Sequence, residues 1–409
     1  MHCYSPSCLF LVAMFWIVVS YYLYTPFPDT AKEPWKQSLT TAMFKLFGIL
    51  SSAGETLQID SATNISRKLM SGIATSMYAG NPNVQVEKLI FDGVDVILCR
   101  PANKQGKLPG LVYFHGGGWV FLNTDSYRPL TDALCESTEA VVVSVEYRLA
   151  PENIYPAAFD DCVKSVIFFL QNAVKYNVDM NKIGIAGDSV GGNLAMAVAL
   201  KLSNDPNLSA LPRLAVQGLI YPPLQFFNFR LPSYIEHGQG PSLLTSKLMA
   251  FFALSYMLGN ATYIPHLLIN NHTSRSLKHS DYSHYVSHEL LPKEFQSTLD
   301  EDDVRLDFGD EALSAEIEDI LLDPYFAPLM ATDAEIKKLP PACIVSAEID
   351  PLRDDSFLAA KRMAMNGIWV RHDHYPGYGH GFFAQIGFYE QSLPAVISFC
   401  KCLLEKMNS

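Results

Sequence analysis

Gly187-Asp188-Ser189-Val190-Gly191-Gly192 is the stretch that decides the fold class of this chain. It lies between a short apolar run at residues 183–186 and a segment rich in Ala, Leu, Met and Val at residues 193–202. A strand, Gly-x-Ser-x-Gly and a helix together favour a sharp turn that raises a serine hydroxyl above the edge of a sheet. The flanking glycines leave room for the turn, and the first amides of the helix point towards the serine. On its own, however, the pattern fits an ordinary glycine-rich turn equally well.

A second glycine-rich loop upstream favours the first interpretation. His115-Gly116-Gly117-Gly118-Trp119 follows an apolar run at residues 111–114. Consecutive glycines let backbone amides approach a substrate oxygen without side chains in the way, which is the arrangement of an oxyanion loop. We expect the amides of Gly116 and Gly117 to donate to that oxygen, with the amide of Val190 as a third donor. Two motifs in this order predict a nucleophilic serine at Ser189.

A nucleophilic serine needs a base and a carboxylate that orients the base. In this arrangement the order along the chain is serine, acid, histidine. Asp350 follows an apolar run at residues 342–347, and His380 follows the next strand-like run. We therefore predict His380 as the base and Asp350 as its partner. Asp354 and Asp355 are rival acids, but their position favours capping of the next helix, and Asp188 is expected to be a structural support.

Alternating strand-like and helix-like segments predict an α/β fold, a mostly parallel sheet with helices on both faces. Strands are predicted at residues 86–91, 94–99, 110–115, 140–147, 183–186, 213–221, 342–347 and 368–374, and later helices at 157–176 and 395–406. The interval at about 222–326 is too long for a loop and predicts an inserted helical lid. Residues 84–409 would then form the catalytic domain.

The N-terminus has the composition of a membrane anchor. Residues 1–28 contain no Lys, Arg, Asp or Glu, and residues 9–23 are almost wholly apolar. This length suits a membrane span with Tyr21, Tyr22 and Tyr24 at the interface. A cleaved signal peptide would need a basic start and a small-x-small site, and neither is present around residues 20–28. We expect residues 1–28 to be an uncleaved transmembrane signal anchor.

The orientation of this anchor is left open by the residues themselves. The first basic residues follow the span, which favours a cytoplasmic body. Four Asn-x-Ser/Thr glycosylation sequons favour the lumen instead, at Asn64, Asn207, Asn260 and Asn271. Residues 29–83 carry helical patterns at 34–50 and 65–78. This helical, membrane-proximal cap would roof an active site, lie on the bilayer or simply pack on the core.

Composition and histidine spacing exclude several classes of site. The net charge of −12 argues against a nucleic-acid partner, because phosphate binding needs clustered Lys and Arg. His284 and His288 are four apart, but no third ligand pattern accompanies them, so we expect no metal and no cofactor. His372 and His374 alternate on a strand and are expected to be structural. Eight cysteines are present, and their pairing is not readable from the sequence.

Together, several motifs resemble the hormone-sensitive-lipase branch of the α/β-hydrolases: residues 115–119, Tyr147-Arg148-Leu149-Ala150-Pro151-Glu152, the Ser189 turn, Asp350-Pro351-Leu352-Arg353-Asp354 and His380-Gly381-Phe382. The N-terminal anchor, Pro34-Trp35-Lys36 and Asn270-Asn271-His272-Thr273-Ser274 are similar to the arylacetamide deacetylase and neutral cholesterol ester hydrolase group. That resemblance covers nearly the whole chain. It implies a single-pass type II protein of the endoplasmic reticulum membrane with a lumenal, glycosylated catalytic domain.

Two departures from the family pattern concern the surroundings of the site. Val190 replaces the usual alanine after the serine and brings a bulkier side chain near the oxyanion loop. Gly377-Tyr378-Gly379 precedes the histidine where an acidic Glu/Asp-Gly-Phe is commoner. Neither change removes a catalytic group.

Two functions follow as hypotheses. The first is a membrane-anchored serine esterase or lipase for neutral, hydrophobic carboxylic esters (cholesteryl, acylglycerol or acetylated ether lipids) and also for aryl acetamides. Its partners would be a hydrophobic small-molecule ester and membrane lipid. The second is a non-catalytic ligand-binding receptor on the same scaffold. The retention of Ser189, Asp350 and His380 argues against the receptor.

Overall fold

The computed structural model describes Ser20 and residues 24–76, 78–296 and 307–409. The anchor predicted at residues 1–28 lies mostly outside these described residues. Among them, no helix is both long enough and apolar enough to cross a bilayer.

Eight strands form one sheet: β1 (Val84–Phe91), β2 (Val94–Pro101), β3 (Leu108–Phe114), β4 (Val141–Val145), β5 (Val178–Asp188), β6 (Val216–Ile220), β7 (Ala342–Ile349) and β8 (Val370–Gly379). Their order across the sheet is β1-β2-β4-β3-β5-β6-β7-β8. The two pairs that involve β2 are antiparallel, and every other neighbouring pair is parallel. The predicted mostly parallel sheet is thus confirmed. Because β3, β5, β7 and β8 run in the same direction, their carboxyl ends meet at one edge.

Helices precede the sheet and connect its strands: α1 (Pro34–Thr56), α2 (Ala62–Ser76), α3 (Arg128–Thr138), α4 (Ala157–Asn172), α5 (Val190–Asn204), α6 (Pro232–His237), α7 (Ser246–Leu258), α8 (Ile264–Leu268), α9 (Arg275–Lys278), α10 (Asp281–Tyr285), α11 (Glu311–Leu321), α12 (Asp333–Ile336), α13 (Arg353–Met365) and α14 (Ser392–Met407). Short 3₁₀ helices lie at Ala173–Tyr176, Pro206–Leu208, His288–Leu290, Lys293–Phe295, Pro328–Met330 and Phe382–Ala384. In the described part of the chain between β6 and β7, helices α6–α12 follow one another, together with three of these 3₁₀ helices.

Side chains alternate between two cores, one on each face of the sheet, because successive residues of a strand point to opposite faces. Along β3, Val112 and Phe114 enter one core, and Leu111 and Tyr113 enter the other. The first core contains side chains of α4, α5 and α13 and of the segment between β6 and β7, and the second contains those of α3 and α14. Residues 190–200 of α5 are all buried, as expected for a helix that is apolar on every side.

The observed elements extend several predicted ones. β5 begins at Val178, five residues before the predicted apolar run, and β8 continues to Gly379. The long helix predicted at residues 157–176 ends at Asn172 and gives way to a 3₁₀ turn. These differences arise at strand and helix ends, where pairing with neighbours rather than local composition sets the limit.

One disulfide joins the sheet to the last helix. Cys343 in β7 is bonded to Cys402 in α14, with a sequence separation of 59. Four other cysteines of the described chain are free and buried, at Cys99, Cys135, Cys162 and Cys400. The bond fixes α14 against the strand whose carboxyl end carries Asp350.

Candidate active site

Ser189 lies at a sharp turn between β5 and α5. Its backbone has φ 53° and ψ −127°, and its amide donates to the Ile220 carbonyl at 2.8 Å. A Cβ on Gly187 would lie 2.2 Å from the Gly191 carbonyl oxygen, and one on Gly191 would lie 2.0 Å from that of Phe114. Only glycine therefore fits at these two positions, which is the steric reason for the spacing in the motif.

Ser189, His380 and Asp350 form one hydrogen-bonded chain. The Ser189 Oγ lies 3.0 Å from Nε2 of His380, and Nδ1 of His380 lies 2.7 Å from Oδ2 of Asp350. Asp350 is fully buried directly after β7, and its Oδ1 accepts from the Leu352 amide at 2.9 Å. The structure thus brings together the three residues that the sequence singled out. With its Nδ1 proton donated to Asp350, His380 presents Nε2 as the acceptor for the serine hydroxyl proton.

Asp354 and Asp355 do not face His380. Oδ2 of Asp354 accepts from the Ser233 amide at 2.7 Å, and Oδ2 of Asp355 accepts from the Leu224 amide at 2.7 Å. Burial raises the pKa of Asp355 to about 7. Both carboxylates lie in the first turn of α13, as expected, but they accept from amides of the segment after β6 and not from the amides of the helix. The Oγ of Ser233 in turn accepts from the Asp354 amide, in the first turn of α13, at 3.3 Å.

The buried carboxylate of Asp188 holds the glycine loop by hydrogen bonds. Its carboxylate accepts from the Tyr113 hydroxyl at 2.8 Å, the Tyr127 hydroxyl at 2.8 Å and the Gly116 amide at 3.0 Å. Burial raises the pKa of Asp188, and the two tyrosine hydroxyls oppose that rise. This support role could be expected from sequence, but Tyr113 and Tyr127 carry no motif and were not predicted.

The bond from Gly116 corrects one predicted oxyanion donor. Its amide is already taken by Asp188, so it is not free for a substrate oxygen. Within the described residues, the amides of Gly117 and Gly118 donate to no protein acceptor. The amide of Val190 opens α5, where the first N–H groups have no intrahelical partner. The donors consistent with this geometry are therefore Gly117, Gly118 and Val190.

Positive backbone angles make the loop specific for glycine. Gly117 has φ 112° and Gly118 has φ 68°. A Cβ on Gly117 would lie 2.1 Å from the Phe121 carbonyl oxygen, and one on Gly118 would lie 2.3 Å from the Phe252 ring. The loop therefore packs too closely for any side chain at these two positions.

The imidazole of His115 is uncharged and packs within the glycine loop. Its Nδ1 lies 2.7 Å from the Gly116 carbonyl oxygen, and the Tyr147 hydroxyl donates to the His115 carbonyl at 2.6 Å. The His115 and Tyr147 rings stack at 4.3 Å. Because the imidazole is fully buried, desolvation lowers the pKa of His115.

An aromatic cluster covers the loop from the side of the inserted segment. Trp119 is fully buried and stacks on Tyr256 at 4.8 Å and on Phe326 at 6.1 Å. Phe121 and Phe252 meet edge to face at 5.7 Å. These rings give the surroundings of the glycine loop an apolar character.

A helix before the sheet also reaches this loop. Arg67 in α2 donates from Nε to the Val120 carbonyl at 2.7 Å and from Nη2 to the Ala150 carbonyl at 2.6 Å. Its guanidinium also pairs with Glu152 at 2.8 Å. Sequence reasoning missed this arginine, since no local pattern relates residue 67 to residues 120–152.

The remaining predicted positions are dispersed over the surface and the core. Asn207 and Asn260 are exposed, whereas Asn64 and Asn271 are half-buried and hydrogen-bonded to Asp60 and His266. His284 lies in α10 and His288 in the next 3₁₀ helix, so the two histidines do not share one helix. His372 and His374 both contact the Ser346 hydroxyl, at 2.7 and 2.9 Å. In the described part of the chain, no group of three or more His, Cys, Asp or Glu side chains is placed to hold a metal ion.

Comparisons with known proteins agree with this geometry. A family model described as alpha/beta hydrolase fold matches residues 111–286 and 287–384. Arylacetamide deacetylase of Bos taurus is 35% identical over 382 residues, which cover 91% of this chain and 94% of the relative. Neutral cholesterol ester hydrolase 1 of Rattus norvegicus is 32% identical over 388 residues, 92% of each chain.

Solved structures agree at the level of the fold. A thermostable esterase from Pseudomonas putida superposes with a TM-score of 0.67 at 22% identity, and the match covers 93% of this chain and 99% of the esterase. A hyperthermophilic esterase from the archaeon Pyrobaculum calidifontis superposes with a TM-score of 0.64 at 27% identity, and the match covers 87% of this chain and 97% of the esterase.

Proposed function

The chain belongs to the α/β-hydrolase fold family and is a carboxylic ester hydrolase, and from this premise we propose that it cleaves neutral, hydrophobic esters by nucleophilic catalysis at Ser189. The observation that carries the proposal is the hydrogen-bonded chain from Ser189 through His380 to Asp350, with distances of 3.0 and 2.7 Å. A serine hydroxyl is a weak nucleophile until a neighbouring base accepts its proton.

In the first half of the reaction, Nε2 of His380 takes the proton of Ser189 as its Oγ attacks the ester carbonyl. The buried carboxylate of Asp350 stabilises the imidazolium and holds its Nδ1 proton in place. The bond between the carbonyl carbon and the alkoxide then breaks, and His380 gives the proton to the alkoxide, which leaves as the alcohol. The acyl group stays bonded to the Oγ of Ser189. In the second half, His380 takes a proton from water as the water oxygen attacks the acyl carbon. The ester bond to Ser189 breaks, His380 returns the proton to Oγ, and the carboxylic acid is released.

Negative charge on the carbonyl oxygen would be met by the amides of Gly117, Gly118 and Val190. Removal of one such donor typically costs about 10²–10³ in kcat. These amides belong to a glycine loop fixed by Asp188 and to the first turn of α5, so no donor has to reorganise during the reaction.

The proposed substrates follow from the apolar surroundings and from the relatives. Rings of Trp119, Phe121 and Phe252 surround the glycine loop. Such a wall suits an acyl chain, a sterol or an aryl group better than a charged ester. The names of the two relatives extend the proposed substrates to cholesteryl esters and aryl acetamides, with acylglycerols and acetylated ether lipids as further members of the class.

We also propose the membrane setting that the sequence predicted. Residues 1–28 would anchor the chain, residues 29–83 would form a membrane-proximal cap, and residues 84–409 would form the catalytic domain with its lid at about 222–326. The disulfide between Cys343 and Cys402 and the exposed sequons at Asn207 and Asn260 support a lumenal domain of the endoplasmic reticulum.

The test compares membranes from cells that express the wild type, Ser189→Ala and Ser144→Ala. Ser144 is a matched control, because its buried hydroxyl has no hydrogen-bond partner among the described residues. We expect Ser189→Ala alone to lose hydrolysis of short and long p-nitrophenyl acyl esters and labelling by a fluorophosphonate. If the wild type neither hydrolyses nor labels, the ligand-binding receptor becomes the better account of this scaffold.

A further inference from the structure

Helix α1 is amphipathic in the opposite sense to a helix on a protein core. Such a helix normally buries an apolar stripe and exposes its polar side. The side of α1 that is buried carries polar groups and one phenylalanine: Gln37, Thr40, Thr41, Phe47, Ser51 and Gly54. The large apolar side chains are exposed instead: Trp35, Leu39, Met43, Leu46, Ile49 and Leu50. We call this second set the outer face of α1.

Hydrogen bonds fix the helix in this orientation. The Gln37 side-chain amide donates to the Gly377 carbonyl at 2.8 Å, and the Thr41 hydroxyl donates to the Pro241 carbonyl at 3.2 Å. The hydroxyls of Thr40 and Tyr389 lie 3.2 Å apart. A rotation that buried the outer face would break these bonds and expose their partners, so the apolar side chains stay outward.

The outer face has the distribution of side chains that is typical of a helix at a membrane interface. At 3.6 residues per turn, its side chains span an arc of about 120° from Ile49 to Met43. No charged residue lies within the arc, and Lys36 and Lys45 border it, one on each side. The ammonium of Lys36 pairs with Glu33, and that of Lys45 donates to the Thr25 hydroxyl at 2.8 Å. Both charges are thereby held at the edge of the apolar arc and outside it.

Apolar exposure continues beyond the helix. Leu57 and Ile59, in the turn between α1 and α2, are 72% and 73% exposed, and Trp35 is 64% exposed. A large exposed apolar surface on a protein marks a site of interaction.

We propose that the outer face of α1 is a membrane-docking surface that rests at the boundary between lipid headgroups and acyl chains. Continuity of the chain supports this occupant, because only ten residues separate the apolar stretch at residues 9–23 from Pro34. The distribution of charge supports it as well. The acids of this region, Glu33 and Glu55, lie outside the apolar arc, at the two ends of α1, and amphipathic helices with an uncharged apolar face lie in the bilayer interface.

The docked helix would connect the bilayer to the site, a step that rests on the proposed function. Gln37 packs on the loop that leads to His380, since a Cβ on Gly379 would lie 2.8 Å from the Gln37 Oε1. A helix is about 10 Å across with its side chains. The His380 loop would therefore lie about one helix diameter from the lipid, and an ester dissolved in the bilayer would reach Ser189 with little exposure to water.

Docking is tested in the full-length protein by photo-cross-linking. p-Benzoylphenylalanine replaces Leu46 in one variant and, as the control, Val174 in another. Each variant is inserted into phosphatidylcholine vesicles that contain alkyne-tagged phosphatidylcholine and is then irradiated. Val174 is 59% exposed and precedes β5, which places it at the end of the sheet opposite to Ser189. We expect about tenfold more lipid adduct from position 46 than from position 174. Equal lipid adducts, or adducts at position 46 with residues 1–23 or with a second copy of the chain, would overturn the proposal.

Substrate access is tested separately by activity. The double variant Leu39→Ser/Leu46→Ser should lose about tenfold of the rate on a cholesteryl ester held in vesicles. Its rate on dissolved p-nitrophenyl acetate should match that of Val174→Ser. Equal losses on both esters would show a structural role of the outer face and refute the access route. A wild type inactive on both esters would refute the proposed function, whereas docking is decided by the cross-link alone.

Discussion

The backbone of Ser189 is held in a conformation that few residues adopt. Its φ of 53° with ψ of −127° costs on the order of 1–3 kcal/mol for a residue with a side chain. The bond from its amide to the Ile220 carbonyl and those that its carbonyl accepts from Gly192 and Asn193 maintain it. The serine oxygen therefore has a fixed position before any substrate arrives.

At the same scale, Asp350→Asn should lower kcat by about 10²–10⁴ with a much smaller change in KM. The amide cannot stabilise an imidazolium, and it favours the wrong tautomer of His380. Steady-state kinetics on p-nitrophenyl butyrate measure the loss, and a thermal melt checks that the variant is folded. Asp373→Asn is the control, because Asp373 pairs with Arg371 and does not contact the site. Full activity of Asp350→Asn would require a different acid.

At the scale of single elements, α14 is the helix whose position depends on a covalent bond. Cys402 ties it to β7, while its neighbour Cys400 is free and buried on the same helix. Asp350 directly follows β7, and His380 directly follows β8. The strands beside this helix therefore carry two members of the proposed triad at their carboxyl ends.

Cys402→Ala should therefore lower the free energy of unfolding by about 4 kcal/mol, the loop-entropy value for a closed loop of this length. Cys400→Ala keeps the disulfide and should lose only about 1 kcal/mol for the smaller buried side chain. Urea unfolding measures both, and dithiothreitol should destabilise the wild type and Cys400→Ala but leave Cys402→Ala unchanged. Equal sensitivity of all three proteins to the reductant would show that this bond does not form.

At the scale of the whole molecule, burial sets the response of stability to acid. The imidazole of His272 is fully buried and lies 2.8 Å from the Phe226 carbonyl oxygen, and burial lowers the pKa of His272 to about 4. Since the unfolded chain binds this proton more readily, the contribution of His272 to stability is fully present above pH 6.5 or so and is lost as the pH falls towards 4.

His272→Gln removes this titration. Between about pH 6.5 and 4, the free energy of unfolding should then depend less steeply on pH, by up to the slope that corresponds to one bound proton. Urea unfolding of both proteins across this range gives the two slopes. Asp355 and other groups that titrate in this range are present in both proteins, so their contributions cancel when the two slopes are subtracted. Parallel slopes for the two proteins would mean that His272 titrates alike in the folded and unfolded chains.

Sequence reasoning succeeded where a short motif carries its own steric requirement. The Ser189 turn and the glycine loop need glycine at fixed offsets, and the order of Asp350 and His380 follows from the order of the strands. It failed where the partner is distant in sequence. The bond from Gly116 to Asp188, the carboxylates of Asp354 and Asp355 and the pairing of Cys343 depend on contacts that only the folded sheet creates.

The order of the strands also has a consequence for biosynthesis. Ser189 follows β5, but Asp350 and His380 follow β7 and β8, the last two strands to be made. Chains emerge from the ribosome N-terminus first, so a nascent chain presents its nucleophile long before its acid and base exist. If the N-terminal segment enters the membrane at once, the growing polypeptide lies beside lipid esters while it is still incapable of attacking them. Activity would begin only once β7, β8 and the loop that carries His380 have left the ribosome and joined the sheet.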